Sequence, residues 1–186
     1  PKIATGEHIV SVAVTEPNAG SDVASMAVTA RPVDGGYVIN GEKTWCTFAG
    51  RADILCLLAR TGTAEDGHRG LTLFLVEKPG RVHGDGDEYS FNYNQDGGGA
   101  ISGHAIPTIG YRGMHSFAVS FDDYFVADAN RIGEEGRGFY LQMAGFAGGR
   151  IQTAARAVGV MEAAFRAAIS YVQERRVFGK TLGDLT

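Results

Sequence analysis

Along the first two thirds of the chain, apolar residues recur with the two-residue period of β-strands. Residues 9–14 alternate small and branched side chains and stop at the turn cluster Glu16-Pro17-Asn18-Ala19-Gly20. Residues 26–33 make a second strand, Asp34-Gly35-Gly36 turns the chain, and residues 37–41 return it. Residues 43–47 form another short strand. Residues 54–59 and 71–76 are apolar enough to be central strands, and residues 117–121 alternate again. About seven short strands at this spacing predict an antiparallel β-barrel or sandwich. Between Lys78 and His104 the pattern dissolves into glycine- and aspartate-rich sequence around Tyr89 and Tyr93, which predicts a long loop.

From Gly136 the period changes. Ile151, Ala154, Val158, Met161, Phe165 and Ile169 fall at helical spacing, which predicts a helix over about 149–174, roughly 39 Å long. Glu162 and Arg166 make a favourable i,i+4 pair on it. So apolar a helix needs partners that the β segment cannot supply, so it belongs to a helical bundle of which the chain holds only the beginning. The reading is mainly β then α: a β domain over 1–130, and the start of a helical domain over 131–186. The chain begins on Pro1 and ends at Thr186 just after this helix, and reads as an internal piece.

Composition narrows the class. Apolar residues make up 44% and charged residues 20%, close to globular averages, and the net charge is −4 with signs mixed. No basic stripe suggests nucleic acid, no polybasic cluster suggests an anionic membrane, and no apolar run suggests insertion into one. Cys46 and Cys56 sit on apolar β-like runs and read as reduced, buried thiols. The five histidines show no metal-ligand spacing, so no metal is expected. Gly84-Asp85-Gly86-Asp87-Glu88 lacks the ligand series of a calcium loop. Gly133-Glu134-Glu135-Gly136-Arg137-Gly138 has no βαβ unit around it, as a dinucleotide fingerprint would require.

Three segments could carry chemistry. In residues 12–22 an extended strand runs into a sharp turn, with hydroxyl donors Thr15 and Ser21 on either side, a layout suited to a flat polar ring edge and an attached phosphate. Taken alone, the segment reads first as a strand and a capped turn. Residues 40–47 hold the only tryptophan, Trp45, whose indole could cover a conjugated ring, with Thr47 on the same side. Taken alone, Trp45 is core. Arg175, Arg176 and Lys180 follow the helix and either complement its C-terminus or meet a diphosphate.

In order along the chain stand Thr15-Glu16-Pro17-Asn18-Ala19-Gly20-Ser21-Asp22, Asn40-Gly41-Glu42-Lys43-Thr44-Trp45-Cys46-Thr47 and Gly110-Tyr111-Arg112-Gly113. Ile132-Gly133 with Gly136, Gly138 and Phe139, then Arg150, then Glu174-Arg175 with Phe178-Gly179-Lys180, complete the series. Together these resemble the acyl-CoA dehydrogenase family, specifically its middle β-domain and the opening of its C-terminal helical domain. The resemblance implies FAD as cofactor. Val12, Val14, Thr15 and Ser21 would face the flavin's polar edge and phosphate, Trp45, Cys46 and Thr47 its ring, and Arg175 and Phe178 the ADP part of FAD in a partner subunit. Ser21 and Arg150 would lie by the substrate, while Arg112 is given a structural role.

It also implies oxidation of an acyl-CoA thioester at its α,β bond, an electron-transfer flavoprotein as electron acceptor, and a homo-oligomeric, tetrameric protein of the cytoplasm or the mitochondrial matrix. The family's catalytic glutamate lies beyond Thr186 or, in a minority, at the position of Gly149, which is not a base, so no catalytic residue is expected in this chain. Residues 78–104, 109–114 and 150–156 are similar to the branch acting on methylsuccinyl-CoA. An acyl-CoA oxidase, another flavoprotein of the same fold, and a β-sandwich binding module with a helical tail are the alternatives.

Overall fold

Asp34 and Gly35 turn the chain as the sequence predicts. They join β2 (Thr29–Val33) to β3 (Gly36–Thr47), with Val33 opposite Gly36 and Gly35 at φ +75°, a conformation glycine adopts without strain. The computed structural model of the chain describes residues 2–79, 88–110 and 113–185. Arg112 and most of the aspartate-rich run at 84–88 lie outside the described residues.

A short helix α1 (Lys2–Thr5) precedes β1 (Val10–Ala13). The other long strands are β4 (Ile54–Arg60), β5 (Leu71–Glu77), β6 (Ser90–Asn94), β7 (Ala100–Ala105) and β8 (Ser116–Ala127), followed by the two-residue β9 (Arg131–Ile132). They form one nine-stranded sheet in the order β6-β7-β8-β3-β2-β4-β5-β9, with β1 on β4 off that path. Ile39, Leu55, Leu57, Phe74, Val76, Ile101 and Val119 are fully buried in its core. Mainly β followed by a long helix is what the pattern predicts, but two particulars differ. Among the described residues the sheet is not a closed barrel. It is also mixed, because β1 runs parallel to β4 and β2 meets β4 in parallel at Thr29 and Arg60. Alternation reports that a strand has one buried face. It says nothing of its neighbours, and the chain between β1 and β4 is long enough for a parallel crossover.

The predicted loop at 78–104 holds a hairpin. β6 pairs with β7 through Phe91 opposite Gly103 and Tyr93 opposite Ile101. Gly98 and Gly99, at φ +92° and +89°, are its turn, and a Cβ on Gly99 would lie 2.3 Å from the Asp123 carbonyl oxygen.

Lys78, just past β5, is 6% exposed; its ammonium lies 4.7 Å from the Phe91 ring centroid and donates to the Pro79 carbonyl at 3.3 Å. Burial pulls its pKa down to about 8 against a weaker opposing pull from Asp53. The unfolded chain therefore holds this proton more tightly. The resulting penalty is complete below about pH 8 and vanishes as pH rises toward the ordinary lysine value. Lys78→Met is expected to raise the unfolding free energy at pH 7 by about 2–3 kcal/mol. Urea denaturation should show that advantage shrinking between pH 8 and 10. A pH-independent difference would contradict the assignment.

Helix α2 spans Gly138–Glu174 and begins earlier than the sequence predicts. The helix passes through glycines 145, 148 and 149, which a helix interior tolerates at a cost of about 1 kcal/mol each relative to alanine. Gly138 allows its first turn to lie on β5, since a Cβ there would come within 2.5 Å of the Thr72 carbonyl carbon. Gly138→Ala is expected to cost about 1–3 kcal/mol of stability, measured by denaturant titration.

The chain divides into two compact units, residues 1–142 and 143–186, with the division inside α2. In the second unit Ile151, Val158, Met161 and Phe165 are exposed. After α2 a small hairpin, β10 (Arg176–Val177) with β11 (Lys180–Thr181), carries Phe178 at its tip, 90% exposed and at φ +55°.

Candidate functional site

After β1, Glu16 and Ala19 exchange backbone hydrogen bonds of 2.9 and 3.2 Å and close the turn around Pro17. That turn is locked from beneath. The Glu16 carboxylate accepts from the amides of Ala27 at 2.6 Å and Val28 at 2.9 Å. The Lys43 ammonium, with no exposed surface, donates to Glu16 Oε1 at 2.8 Å, to the Val14 carbonyl at 2.9 Å and weakly to Met26 Sδ at 3.5 Å. Burial holds the Lys43 pKa below the ordinary lysine range, opposed by the attraction of Glu16. A buried ammonium of this kind stands only because its hydrogens have acceptors.

A second clamp fixes the far side of the turn. Arg60, at the end of β4, donates to the carbonyls of Ala24 (2.6 Å), Met26 (3.1 Å), Thr63 (2.8 Å) and Gly67 (3.2 Å). Neither clamp was assigned from sequence. Glu16 and Lys43 stood inside the motifs without a role, and Arg60 reads as an ordinary charge at a strand end.

Held this way, the turn keeps donors free. Within the described residues the N–H and hydroxyl of Thr15, and the amides of Gly20 and Ser21 with the Ser21 hydroxyl, have no hydrogen-bond partner. Backbone donors in a tight turn suit anionic oxygen.

β3 ties itself to this segment through Thr44 N–H to the Thr15 carbonyl, 2.8 Å. The β3–β8 pairing slips between Lys43 and Cys46, and within this bulge Trp45 takes φ +58°. Such a conformation is costly for a residue with a Cβ and is held by its surroundings. The bulge aims the chain so that Lys43 and Cys46 enter the core while Trp45 stays 55% exposed. Thr47 follows, its hydroxyl 3.3 Å from that of Ser116 on β8, a neighbour not anticipated from the sequence.

Beside them Glu88 pairs with His115 at 3.3 Å and Arg51 at 3.4 Å, and the rings of Tyr89 and His115 lie 4.8 Å apart. The His115 contact is the first cause holding the Glu88 carboxyl below its ordinary range.

Thr15, Trp45 and Thr47 are therefore tied to one region by named bonds. Val12 is half-exposed in β1. Val14 is buried and so is the Cys46 thiol, which burial pushes up to about 12, so both can offer a ligand only their main chain. Ser21 is exposed on the turn. Arg150, Arg175 and Phe178 belong to the second unit. There Arg150 flanks an open hollow beside Phe146, Gly149 and Thr153, with no carboxylate among these lining residues. No group of three or more candidate metal ligands occurs among the described residues, and no described helix is long and apolar enough to cross a membrane.

A partly exposed indole on the strand bonded to Thr15, with free amides farther along the turn that follows Thr15, fits a flat conjugated ring bearing polar edge atoms and a phosphate arm, as FAD does.

Two family models match, the acyl-CoA dehydrogenase middle domain over residues 11–124 and the acyl-CoA dehydrogenase C-terminal domain over residues 136–186. The chain is 39% identical over 186 residues to mitochondrial isovaleryl-CoA dehydrogenase of Oryza sativa subsp. japonica, with 99% of this chain and 41% of that protein aligned. It is 40% identical over 184 residues to (2S)-methylsuccinyl-CoA dehydrogenase of Cereibacter sphaeroides, with 98% of this chain and 32% of that protein aligned. The crystal structure of an acyl-CoA dehydrogenase from Geobacillus kaustophilus superposes with a TM-score of 0.81 at 31% identity, over 100% of this chain and 44% of that one. The chain thus spans less than half the length of these relatives. With both family models matched in order, the chain belongs to the acyl-CoA dehydrogenase family.

Proposed function

We propose that this chain is the FAD- and thioester-binding part of an acyl-CoA dehydrogenase, with a middle β-domain over 1–130 and the opening of the helical domain over 131–186. The observation that carries the reading is Trp45, kept partly exposed in a left-handed conformation beside the open donors of Thr15. FAD, when bound, supplies the two-electron acceptor for hydride from the substrate's β carbon. The chain's own residues bind and orient. Thr15 donates to the polar edge of the ring, Trp45 covers one face, Thr47 donates beside it, and the Gly20 and Ser21 amides meet phosphate. Val12, and the main chain of Val14 and Cys46, complete the wall. Ser21 of the first unit and Arg150 of the second are each assigned to the substrate, and Arg175 and Phe178 would meet the ADP part of FAD in a neighbouring subunit of a homotetramer. Gly149 has no side chain to accept the α proton, so that proton would pass to a carboxylate other than one at this position.

The reoxidant is an electron-transfer flavoprotein, and the compartment is cytoplasm or mitochondrial matrix. The identities to the isovaleryl- and methylsuccinyl-CoA enzymes support a branched acyl-CoA as substrate.

The test is anaerobic. The protein at its natural length is mixed with a panel including isovaleryl-CoA and methylsuccinyl-CoA while the flavin absorbance is followed. Bleaching by at least one thioester is expected, and a flavin unchanged by every member removes the dehydrogenase reading. The 186-residue chain alone is expected to oxidise none of them, because Gly149 offers no side-chain base at the position a minority of the family uses.

A further inference from the structure

We infer that Lys43 and Glu16 form a buried charge pair that positions and polarises the flavin-facing peptide group between Val14 and Thr15, so that Lys43 is a positioning residue for the cofactor's electron affinity. The inference rests on the functional reading above and deepens it.

The geometry runs through one peptide unit. The Lys43 ammonium donates to the Val14 carbonyl at 2.9 Å. The N–H of that same unit belongs to Thr15, which has no acceptor among the described residues. A cation on a peptide oxygen draws electron density through the amide and makes its N–H a stronger donor. The Thr15 carbonyl is fixed independently by the Thr44 amide at 2.8 Å, so the donor cannot swing away.

Glu16 closes the arrangement. It neutralises Lys43 at 2.8 Å and uses its remaining capacity on the Ala27 and Val28 amides. The pair is out of water, Lys43 at 0% and Glu16 at 7% exposure, so solvent screens its field little. Here the ammonium's partners are the backbone of the flavin-facing segment and the carboxylate beside it. Two-electron reduction adds negative charge to the polar edge of a flavin. A donor strengthened by a buried cation therefore favours the reduced form over the oxidised one.

Two near-isosteric variants separate this role from simple stability. In Lys43→Met the cation is removed while Glu16 keeps its two amide donors. In Glu16→Gln the carboxylate charge is removed while Lys43 keeps its carbonyl acceptor. Both are expected to lower stability, but they should move the flavin reduction potential in opposite directions. The measurement is a spectroelectrochemical titration of the FAD-loaded protein at its natural length, at roughly pH 6 so that the amine stays protonated.

Lys43→Met is expected to weaken binding of reduced relative to oxidised flavin roughly tenfold, a fall of about 30 mV for a two-electron couple. Glu16→Gln is expected to raise the potential. Should Lys43→Met fail to fold, the upward shift in Glu16→Gln decides alone. Unchanged potentials, or two shifts of the same sign, overturn the inference while leaving the FAD reading standing. A wild-type protein that takes up no FAD overturns that reading and this inference with it.

Discussion

Arg60→Ala is expected to lower the unfolding free energy by about 3–5 kcal/mol, the largest effect of any single substitution considered for this chain. The guanidinium is 8% exposed and serves four carbonyl oxygens, those of Ala24, Met26, Thr63 and Gly67. Alanine would leave these acceptors without their donor and open a cavity where the side chain had been. Lysine keeps the charge but presents a point donor with three hydrogens in place of a planar fork, so Arg60→Lys is expected to recover only part of the loss. Ala24 and Met26 lie just past Ser21, so loosening them should also weaken FAD binding in whatever fraction remains folded. Denaturant titration with a parallel flavin-binding measurement checks both. A loss under about 1 kcal/mol would mean that water replaces the guanidinium without cost.

Trp45→Gly has a different signature: little change in stability and a large loss of cofactor affinity. Trp45 sits at φ +58° with 55% of its surface exposed. Glycine adopts that conformation freely, which releases about 1–3 kcal/mol of strain. Against this stand the glycine's greater unfolded-state entropy and the lost burial of part of the indole, each of similar size. Net stability should therefore change by no more than about 1 kcal/mol. FAD affinity should fall at least tenfold, because the ring that covers one face of the flavin is gone, and Trp45→Phe should retain most of it. Equal affinity in Trp45→Gly and wild type would show that the indole is exposed for some other reason.

Part of this was legible in the chain and part was not, and the division has physical causes. The strands with an uninterrupted buried face, such as Ile54–Arg60 and Leu71–Glu77, announce themselves, because burial on both faces demands continuous apolar sequence. The Asp34-Gly35 hairpin does so as well, because its turn geometry selects its residues. The Ser90–Asn94 and Ala100–Ala105 hairpin stayed hidden. Its buried contribution is little more than Phe91, Tyr93 and Ile101, and its turn glycines look like those of a loop. The early start of α2 was hidden for the related reason that glycine in a helix is tolerated at a cost the rest of the helix covers.

In the candidate site, Thr15, Ser21, Trp45 and Thr47 came from motif order. The bonds that hold them did not. Lys43 reaches Glu16 and Val14 across 27 and 29 residues and Arg60 reaches Ala24 across 36, and most partners of these clamps are main-chain atoms that leave no side-chain signature. The parallel pairing of Val10–Ala13 with Ile54–Leu57 was unreadable for the same reason, since strand neighbours are set by the whole sheet.

The most direct measurement is the flavin content of the protein at its natural length, purified as wild type, Thr15→Val and Trp45→Gly, and read from the visible absorption spectrum against protein concentration. A site formed by the open donors of Thr15 and the exposed Trp45 ring should give a yellow wild type with close to one FAD per chain; Trp45→Gly should lose most of it, and Thr15→Val, which keeps the N–H and loses only the hydroxyl, should lose part of it, both remaining folded. A colourless wild type that does not take up added FAD, or variants that keep full flavin content, would contradict the assignment of this surface to the cofactor.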